Sequence, residues 1–387
     1  MRPAFTGMIG LAAAMGIGRF ALTPLLPLMQ AHESVSLVQG GFLASANYIG
    51  YLLGALWCLA RSTRPAIAAP FGLLAVALST LAMALTSSVA VWLALRLVAG
   101  VASAFVLVSV SAWALAALPP HLQSKGSGLV FAGVGIGLLL AGLVAIGIGV
   151  SGLAPSAGWL LLGSAALVAT RVVARAITDA AGSPLKRAGQ DSNVLGPDAW
   201  RLTFCYGAFG FGYIIPATFL PAAARALVDD PAVFGWAWPA FGLASATSTI
   251  AFGAILKHVP PGRIWALAQA VMAFGVALPA FHLELSALIV SAVCVGGTFM
   301  TITMAAMQEA QRIGGQSSYR LMALLTSAFA AGQVLGPLTI AEAGVTASAL
   351  RTPSLVAAAL LFVTALILLP RPARALGGTT PPRAPGV

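Results

Sequence analysis

The sequence predicts an all-α membrane protein with twelve transmembrane helices in two pseudo-symmetric six-helix bundles. Only 7% of its 387 residues are charged and 59% are hydrophobic, whereas a soluble domain carries about 25% charged residues. The apolar runs are long and unbroken, unlike the alternating segments of about ten residues that build membrane β-barrels. Helices are then the structure that satisfies every backbone hydrogen bond in lipid.

Twelve apolar runs are long enough to span a membrane, which takes about 20 residues. They lie at 5–29, 36–60, 66–87, 89–117, 125–150, 156–177, 199–224, 232–256, 262–281, 284–310, 318–342 and 348–369. The polar stretch TDAAGSPLKRAGQDSNVLGPD, residues 178–198, divides them six and six. We therefore expect an N-terminal bundle over 1–177, a cytoplasmic linker over 178–198, a C-terminal bundle over 199–370 and a disordered cytoplasmic tail over 371–387.

Basic residues are distributed unevenly between the loops. The formal net charge is +11, and the lysines and arginines cluster at the termini and near the even-numbered loops, whereas the odd-numbered loops hold only Arg225 and Arg351. Cytoplasmic loops of membrane proteins carry such an excess. The pattern predicts that both termini are cytoplasmic, in a bacterial inner membrane, and it gives no reason to infer a nucleic-acid partner.

An internal repeat supports the division into two halves. The segment GIGRFALTPLLP at residues 16–27 is echoed by GFGYIIPATFLP at residues 210–221, with two glycines, a leucine and a proline recurring at a constant offset of 194. Helix 1 therefore corresponds to helix 7 in the same membrane direction, as six helices per half requires. Halves related by an axis along the membrane normal are an arrangement found in secondary transporters.

Several motifs resemble the major facilitator superfamily, and more narrowly its YbfB/YjiJ-type branch. They are GIGRFALTPLLPLM in helix 1, LASANYIGYLLGAL in helix 2 and GQVLGP in helix 11. The helix 4 signature of the superfamily is present as RLVAGVASA, in which Arg96 precedes Gly100 by four residues. The resemblance implies the major facilitator fold and transport by alternating access, with no enzymatic activity.

Two superfamily signatures are incomplete. Helix 5 carries a series of glycines without the usual Gly-Pro pair. The loop between helices 2 and 3 has Gly54, Arg61 and Arg64 but lacks the expected aspartate. The charge-relay gating that is often ascribed to that loop is therefore not implied for this chain.

Arg19 is a single charge within the apolar helix 1. A charge at bilayer depth costs about 2.5–3.5 kcal/mol on insertion scales, and this position lies roughly 21 Å into the helix at 1.5 Å per residue. Its helical neighbours Ala12, Gly16 and Thr23 form a small, partly polar stripe, which suits a cavity wall or a close helix contact. Because an arginine fork suits carboxylate, sulfonate or phosphate, we predict that Arg19 anchors an anionic substrate. The alternative is that it locks helices together through backbone carbonyls.

Four further residues are predicted to complete the substrate site. Asn47 and Tyr51 lie on one stripe of helix 2, Tyr213 is the repeat counterpart of Arg19 in helix 7, and Gln333 stands beside a Gly-Pro break in helix 11. A full amide in mid-helix needs partners. For each of the others alone, hydrogen bonding between helices is the competing interpretation.

Three residues are predicted to have a structural or coupling role: Arg96 and Gly100 in helix 4, and Glu309 near the end of helix 10. None of the nine acidic residues falls in the first six predicted helices. Neither buried arginine therefore has a carboxylate partner in its own half, and Glu309 is the remaining candidate for a titrating group.

These features predict a secondary active or facilitative transporter that moves a small organic anion. The alternative is proton-coupled efflux of drugs or hydrophobic metabolites, and a third possibility is a membrane sensor that transports nothing. Exchange, facilitated diffusion and proton symport all stay open. The sequence has no nucleotide-binding motif and no His/Cys/carboxylate cluster, so no cofactor or metal is expected. The predicted partners are the solute, protons and the lipid bilayer, with the chain acting as a monomer.

Overall fold

Prolines, glycines and a capping box set the ends of the helices. Ser36 and Gln39 cap one helix reciprocally: the Ser36 hydroxyl accepts from the Gln39 N–H at 3.1 Å, and the Gln39 side chain accepts from the Ser36 N–H at 2.8 Å. Pro65 and Pro261 begin two other helices, where a missing N–H has no cost. Gly152, at φ 64°, ends a fourth in the left-handed conformation that glycine adopts readily.

The computed structural model describes residues 1–61, 63–180, 196–227, 231–255, 258–282, 284–338 and 347–369. Within those ranges the chain forms twelve long helical segments that match the twelve predicted spans. They are α1 (Arg2–His32), α2 (Leu37–Ala60), α3 (Pro65–Ala82), α4 (Val89–Ala117), α5 (Gln123–Ser151), α6 (Pro155–Ala180), α7 (Pro197–Leu227), α8 (Pro231–Ile255), α9 (Pro261–Phe281), α10 (Leu285–Gly314), α11 (Ser318–Leu338) and α12 (Ala347–Leu368).

Nine stretches of the described residues are long and apolar enough to cross a membrane, and together they cover α1–α5, α9 and α10, and most of α6, α11 and α12. Large apolar side chains on the outside of the bundle stay exposed, as Phe71 does at 70% and Phe274 at 59%. Such exposure is expected where lipid is the solvent.

Helix α6 runs further than its predicted span. It ends at Ala180 rather than at residue 177, so Asp179 lies in its last turn. This corrects the expectation that no acidic residue belongs to the first six helices. Most of the predicted linker, residues 181–195, and the whole predicted tail lie outside the described residues.

The two six-helix bundles repeat the same helix contacts. In the first, α1 packs on α5, α2 on α4 and α3 on α6; in the second, α7 packs on α11, α8 on α10 and α9 on α12. Each second pair follows from the first by adding six to both helix numbers. The two bundles meet where α2 packs on α11 and where α5 packs on α8.

Glycines allow the close approach of α5 and α8. Gly128, Gly135 and Gly142 recur every seven residues along α5 and face α8. A Cβ atom at Gly135 would lie 2.5 Å from the backbone nitrogen of Ala246, which leaves no room for a side chain. The glycine series of α5 therefore forms part of the contact between the bundles, as small residues do in membrane helix packing.

Helix α1 contains a π-helical segment, Ala12–Arg19, between α-helical parts Arg2–Leu11 and Leu22–His32. The Phe20 N–H donates to the carbonyl of Met15, five residues back, at 3.2 Å. Such segments are rare and often occur at functional sites. Because the turns are wider, some backbone carbonyls of this segment need hydrogen-bond donors from other helices.

Candidate functional site

Arg19 lies at the end of the π-helical segment, where α1, α2 and α11 meet. Its side chain is 3% exposed, and its Nη2 donates to Oε1 of Gln333 on α11. Because an arginine nitrogen can only donate, this contact also fixes the orientation of the amide. The structure therefore joins two predicted site residues from opposite bundles.

Aromatic rings surround the guanidinium of Arg19. Its Cζ atom lies 3.7 Å from the ring centre of Tyr51, 5.3 Å from Phe20, 5.7 Å from Phe329 and 5.8 Å from Tyr48. Cations are attracted to ring faces within about 6 Å. These rings hold the charge in a place that would otherwise be costly, and the contact with Tyr51 places a third predicted residue at the site.

Several polar atoms at this centre have no hydrogen-bond partner among the described residues. They are Nε and Nη1 of Arg19, Nε2 of Gln333 and Oδ1 of Asn47. Within the same ranges, the ion pairs are Arg201 with Asp198 and Arg312 with Glu309, so Arg19 takes part in neither. The site thus contains a buried cation that lacks a carboxylate counterion in the described part of the chain.

Arg96 of α4 supports the backbone of α1. Its Nη1 donates to the Gly18 carbonyl at 2.9 Å and its Nη2 to the Arg19 carbonyl at 2.6 Å. The Ser103 hydroxyl, two turns along α4, donates to the Ala14 carbonyl at 2.8 Å. These donors satisfy carbonyls of the π-helical segment, which would be costly to leave unpaired in a buried place.

Asn47 and Gly100 lie in the contact between α2 and α4. The Asn47 Nδ2 donates to the Arg96 carbonyl at 3.0 Å, and a Cβ atom at Gly100 would lie 2.2 Å from the Asn47 carbonyl oxygen. Both residues therefore pack α2 closely on the helix that carries Arg96. The unpaired oxygen of Asn47 is the part of its side chain that remains available.

A cluster of rings in the second bundle continues the aromatic wall. Tyr213 stacks on Phe299, with ring centres 4.3 Å apart and planes at 17°, and it lies 6.3 Å from Phe329. Tyr213 is thus connected to the Arg19 environment through Phe329. The remaining members of the cluster are Tyr206, Phe209, Trp238, Phe241 and Trp265. Sequence analysis did not single out Phe20, Phe299, Phe329 or Trp238.

Glu309 lies apart from the Arg19 centre. Its carboxylate accepts from Nε of Arg312 at 2.9 Å and from Nη2 at 2.6 Å, and a Cβ atom at Gly262, at the start of α9, would lie 3.7 Å from its Oε1. Glu309 thus has its neighbours near the ends of α10 and α9. The structure does not bring Glu309 together with the other predicted site residues.

Neutral hydrogen bonds connect the two bundles at the end that was predicted to be cytoplasmic. Thr63, after α2, and Tyr319, in α11, are linked through their hydroxyls at 2.7 Å. The Ser124 hydroxyl of α5 donates to the Gly253 carbonyl of α8 at 2.9 Å, and Gln308 of α10 donates to Ser127. In the described residues, uncharged groups thus link the two bundles at this end, beside the loop that lacks the usual aspartate.

No group of three metal-ligating side chains occurs in the part of the chain that the structure describes. Its cysteines Cys58, Cys205 and Cys294 are unpaired thiols. The side chains that line the centre are the guanidinium of Arg19, the amides of Asn47 and Gln333, and aromatic rings.

Comparisons with known proteins agree with this architecture. The profile of a family described as "Uncharacterised MFS-type transporter YbfB" matches residues 11–369. Among solved structures, the human organic anion transporter MFSD10 (TETRAN) is similar with a TM-score of 0.70 and 17% sequence identity, over 95% of this chain and 99% of that one. No curated protein matches the chain. The predicted family resemblance and the predicted fold are confirmed.

Proposed function

The chain belongs to the YbfB family of MFS-type transporters, and we propose that it moves a small organic anion across its membrane by alternating access. It is a multi-pass membrane protein and a transporter, not an enzyme. The proposal adds the charge of the substrate and the identity of the site.

The observation that carries the proposal is the state of Arg19. Its guanidinium is buried, stands between the two bundles, and keeps two nitrogens without a partner among the described residues. A buried charge is ordinarily paired, and an arginine fork suits planar carboxylates and tetrahedral anions. A substrate anion supplies the missing partner, while Gln333 donates through its free amide N–H groups.

The contacts between the bundles support alternating access. Arg19 bonds to Gln333 across the boundary, so separation of the halves would break this contact and release both side chains to a ligand. The hydroxyls of Thr63 and Tyr319 link the bundles at one end, which we take to be the closed end. Rocking of the bundles around a central site is the general mechanism of such folds. The human organic anion transporter with a similar fold carries substrates of the same charge class.

Orientation and location belong to the same proposal. The bias of basic residues toward even-numbered loops supports cytoplasmic termini. The end at which Thr63 and Tyr319 link the bundles would then face the cytoplasm, and the protein would lie in a bacterial inner membrane.

The proposal is tested by ligand-induced stabilisation of purified wild-type protein and of the Arg19→Gln variant. Each is mixed with a panel of small organic carboxylates, sulfonates and amines. A ligand at 100 times its Kd raises stability by about 2.7 kcal/mol. Hydrogen bonds to charged groups contribute about 1.5–3 kcal/mol. An anion that stabilises the wild-type protein should therefore bind the Arg19→Gln variant about 10- to 100-fold more weakly. Sulfonates that bind are then followed into proteoliposomes, because their permanent charge prevents passive entry.

The matched control is Arg201→Gln. It removes the same charge from an i,i+3 pair with Asp198 at 3.2 Å, and such a pair contributes at most about 1 kcal/mol to stability. We expect this variant to bind anions as wild type does. Binding and flux of anions that do not change in Arg19→Gln, or stabilisation by amines alone, would contradict the anion proposal and favour drug efflux.

A further inference from the structure

Aromatic contacts cross the boundary between the bundles beside Arg19. Phe20, the next residue in α1, lies 6.0 Å from Phe299 of α10 at 80° and 6.3 Å from Trp238 of α8 at 60°. Phe329 of α11 approaches Arg19 of α1 from the second bundle. The aromatic wall is therefore built from both halves of the molecule.

Tyrosines are concentrated at the same centre. The chain has five tyrosines, and four of them contact either Arg19 or the ring cluster: Tyr48, Tyr51, Tyr206 and Tyr213. Phenylalanine is frequent on lipid-facing surfaces as well, and Phe71 and Phe274 are examples. The tyrosines are not spread in this way, which distinguishes the centre from ordinary packing.

Opening of either end affects these rings unequally. The contacts of Phe20 with Phe299 and Trp238 join different bundles, so they would part if the bundles separated at the level of Arg19. The stacked pair of Tyr213 and Phe299 lies within one bundle and stays together. Opening therefore bares ring faces next to the buried cation, and baring apolar surface to water is unfavourable unless a ligand covers it.

The unpaired polar atoms on the same wall are mostly donors. In the described residues they include Nε and Nη1 of Arg19, Nε2 of Gln333 and the indole Nε1 of Trp238. Donors that surround ring faces match a ligand with acceptor oxygens at one end and a flat apolar body at the other. Aromatic groups pair with aromatic side chains more favourably than their area alone explains.

We propose that the transported anion is aromatic: a carboxylate or sulfonate held by Arg19 and Gln333, with its ring among Phe20, Phe299 and Trp238. This rests on the anion proposal and narrows it to a substrate class. Phe20 and Phe299 are then specificity-determining residues, because they distinguish a flat ring from a saturated body of the same charge.

The experiment compares two probes that differ in aromaticity, benzenesulfonate and cyclohexanesulfonate. Both carry the same permanent charge and a six-membered ring. Binding to the purified full-length protein is measured by stabilisation, and uptake is measured in proteoliposomes. We expect benzenesulfonate to bind wild type roughly 3- to 10-fold more tightly than cyclohexanesulfonate, and both to weaken in Arg19→Gln.

Ring variants identify the residues responsible. Phe299→Leu and Phe20→Leu keep an apolar side chain but remove a ring face, so we expect the preference for benzenesulfonate to fall to near 1 while Arg19-dependent binding of cyclohexanesulfonate persists. Phe274→Leu removes an exposed ring of α9 and serves as the matched control. Two ring variants are used so that one that fails to fold leaves the other to decide.

The outcomes separate the two proposals. Equal, Arg19-dependent binding of both sulfonates overturns the aromatic assignment and leaves the anion proposal intact. A preference that survives in both Phe20→Leu and Phe299→Leu overturns the assignment of those rings. Binding of neither sulfonate, or binding that does not depend on Arg19, overturns the aromatic proposal, and the wider panel of anions then decides the anion proposal.

Discussion

Helices α1 and α7 are copies of one framework that differ at the site. In α1, a Cβ atom at Gly16 would lie 2.3 Å from the Cα atom of Gly137 on α5; in α7, one at Gly210 would lie 2.2 Å from the carbonyl oxygen of Phe329 on α11. The two glycines recur at the offset of the sequence repeat, and the two helix pairs are equivalent in the bundles. The repeated glycines therefore serve backbone contact, in the same way on both sides.

The difference between the copies begins at the backbone. Helix α1 is π-helical over Ala12–Arg19, whereas α7 is α-helical over Pro197–Leu227. Arg96 and Ser103 satisfy carbonyls of α1. The chemistry follows the backbone, because Arg19 ends the irregular segment and its counterpart Tyr213 lies in regular helix. The two copies, α1 and α7, thus share their glycine packing but differ in the side chain that each brings to the site.

The largest effect should come from breaking what the two copies share. Gly16→Ala and Gly210→Ala each place a methyl group against the backbone of a neighbouring helix. Overpacking costs about 1–3 kcal/mol, and we expect about 3 kcal/mol for each because a backbone atom cannot rotate away. The measurement is the unfolding free energy of the purified variants.

Gly147→Ala is the control for these two variants. A Cβ atom at Gly147 meets nothing within 4 Å, so the substitution should be neutral or stabilise the helix by up to about 1 kcal/mol. If Gly16→Ala and Gly210→Ala were as stable as Gly147→Ala, the repeated glycines would not be explained by close packing.

The next largest effect should come from removing the hydrogen bonds that Arg96 donates to the backbone of α1. Arg96→Met removes the donors to the Gly18 and Arg19 carbonyls. Each orphaned carbonyl costs about 1–3 kcal/mol, and loss of a buried charge offsets part of this. We expect local opening of α1 to become easier by about 2 kcal/mol, seen as faster hydrogen exchange over residues 17–21 with no change over residues 203–214 of α7.

Arg19→Met is the matched control, because it removes the other buried arginine of the first bundle. Arg19 donates to a side chain rather than to the backbone of α1, so exchange over residues 17–21 should change far less. Equal acceleration in α1 and α7 after Arg96→Met would show that Arg96 stabilises the whole protein instead of this segment.

The helices and the central arginine could be predicted from the sequence. Span length and hydropathy depend on local composition, and a lone charge such as Arg19 in an apolar run is conspicuous because lipid makes it costly. The sequence predicted that Arg19 and Gln333 belong to the same site, but it did not predict the hydrogen bond between them. The pairing of Glu309 with Arg312 could have been inferred, since their i,i+3 spacing places them on one face.

The π-helical segment and the aromatic wall could not be predicted in the same way. The donors that bond to the carbonyls of α1 lie on α4, 77 to 89 residues further along the chain. No local sequence pattern can therefore predict them. A phenylalanine in a membrane helix suits lipid and protein interior equally, so Phe299 and Phe329 look like Phe274 in sequence. Only the packing of α10 and α11 around Arg19 separates them.

The smallest effect on the stability of α1 should come from removing a single hydroxyl group, that of Ser103. Ser103 has one hydroxyl proton, which it shares between the Ala14 carbonyl at 2.8 Å and the Ala99 carbonyl of its own helix at 2.7 Å. Ser103→Ala therefore removes one hydrogen bond to the π-helical segment while Arg96 still holds its end. A typical hydrogen bond contributes about 1 kcal/mol, so exchange over residues 12–16 should quicken about fivefold, with residues 17–21 unchanged.

The Ser79→Ala variant, which removes a hydroxyl bonded within α3 to the Val76 carbonyl, should leave α1 exchange as in wild type. Acceleration along the whole of α1 in Ser103→Ala would mean that the segment opens as one unit, and that Arg96 and Ser103 do not hold separate parts of it.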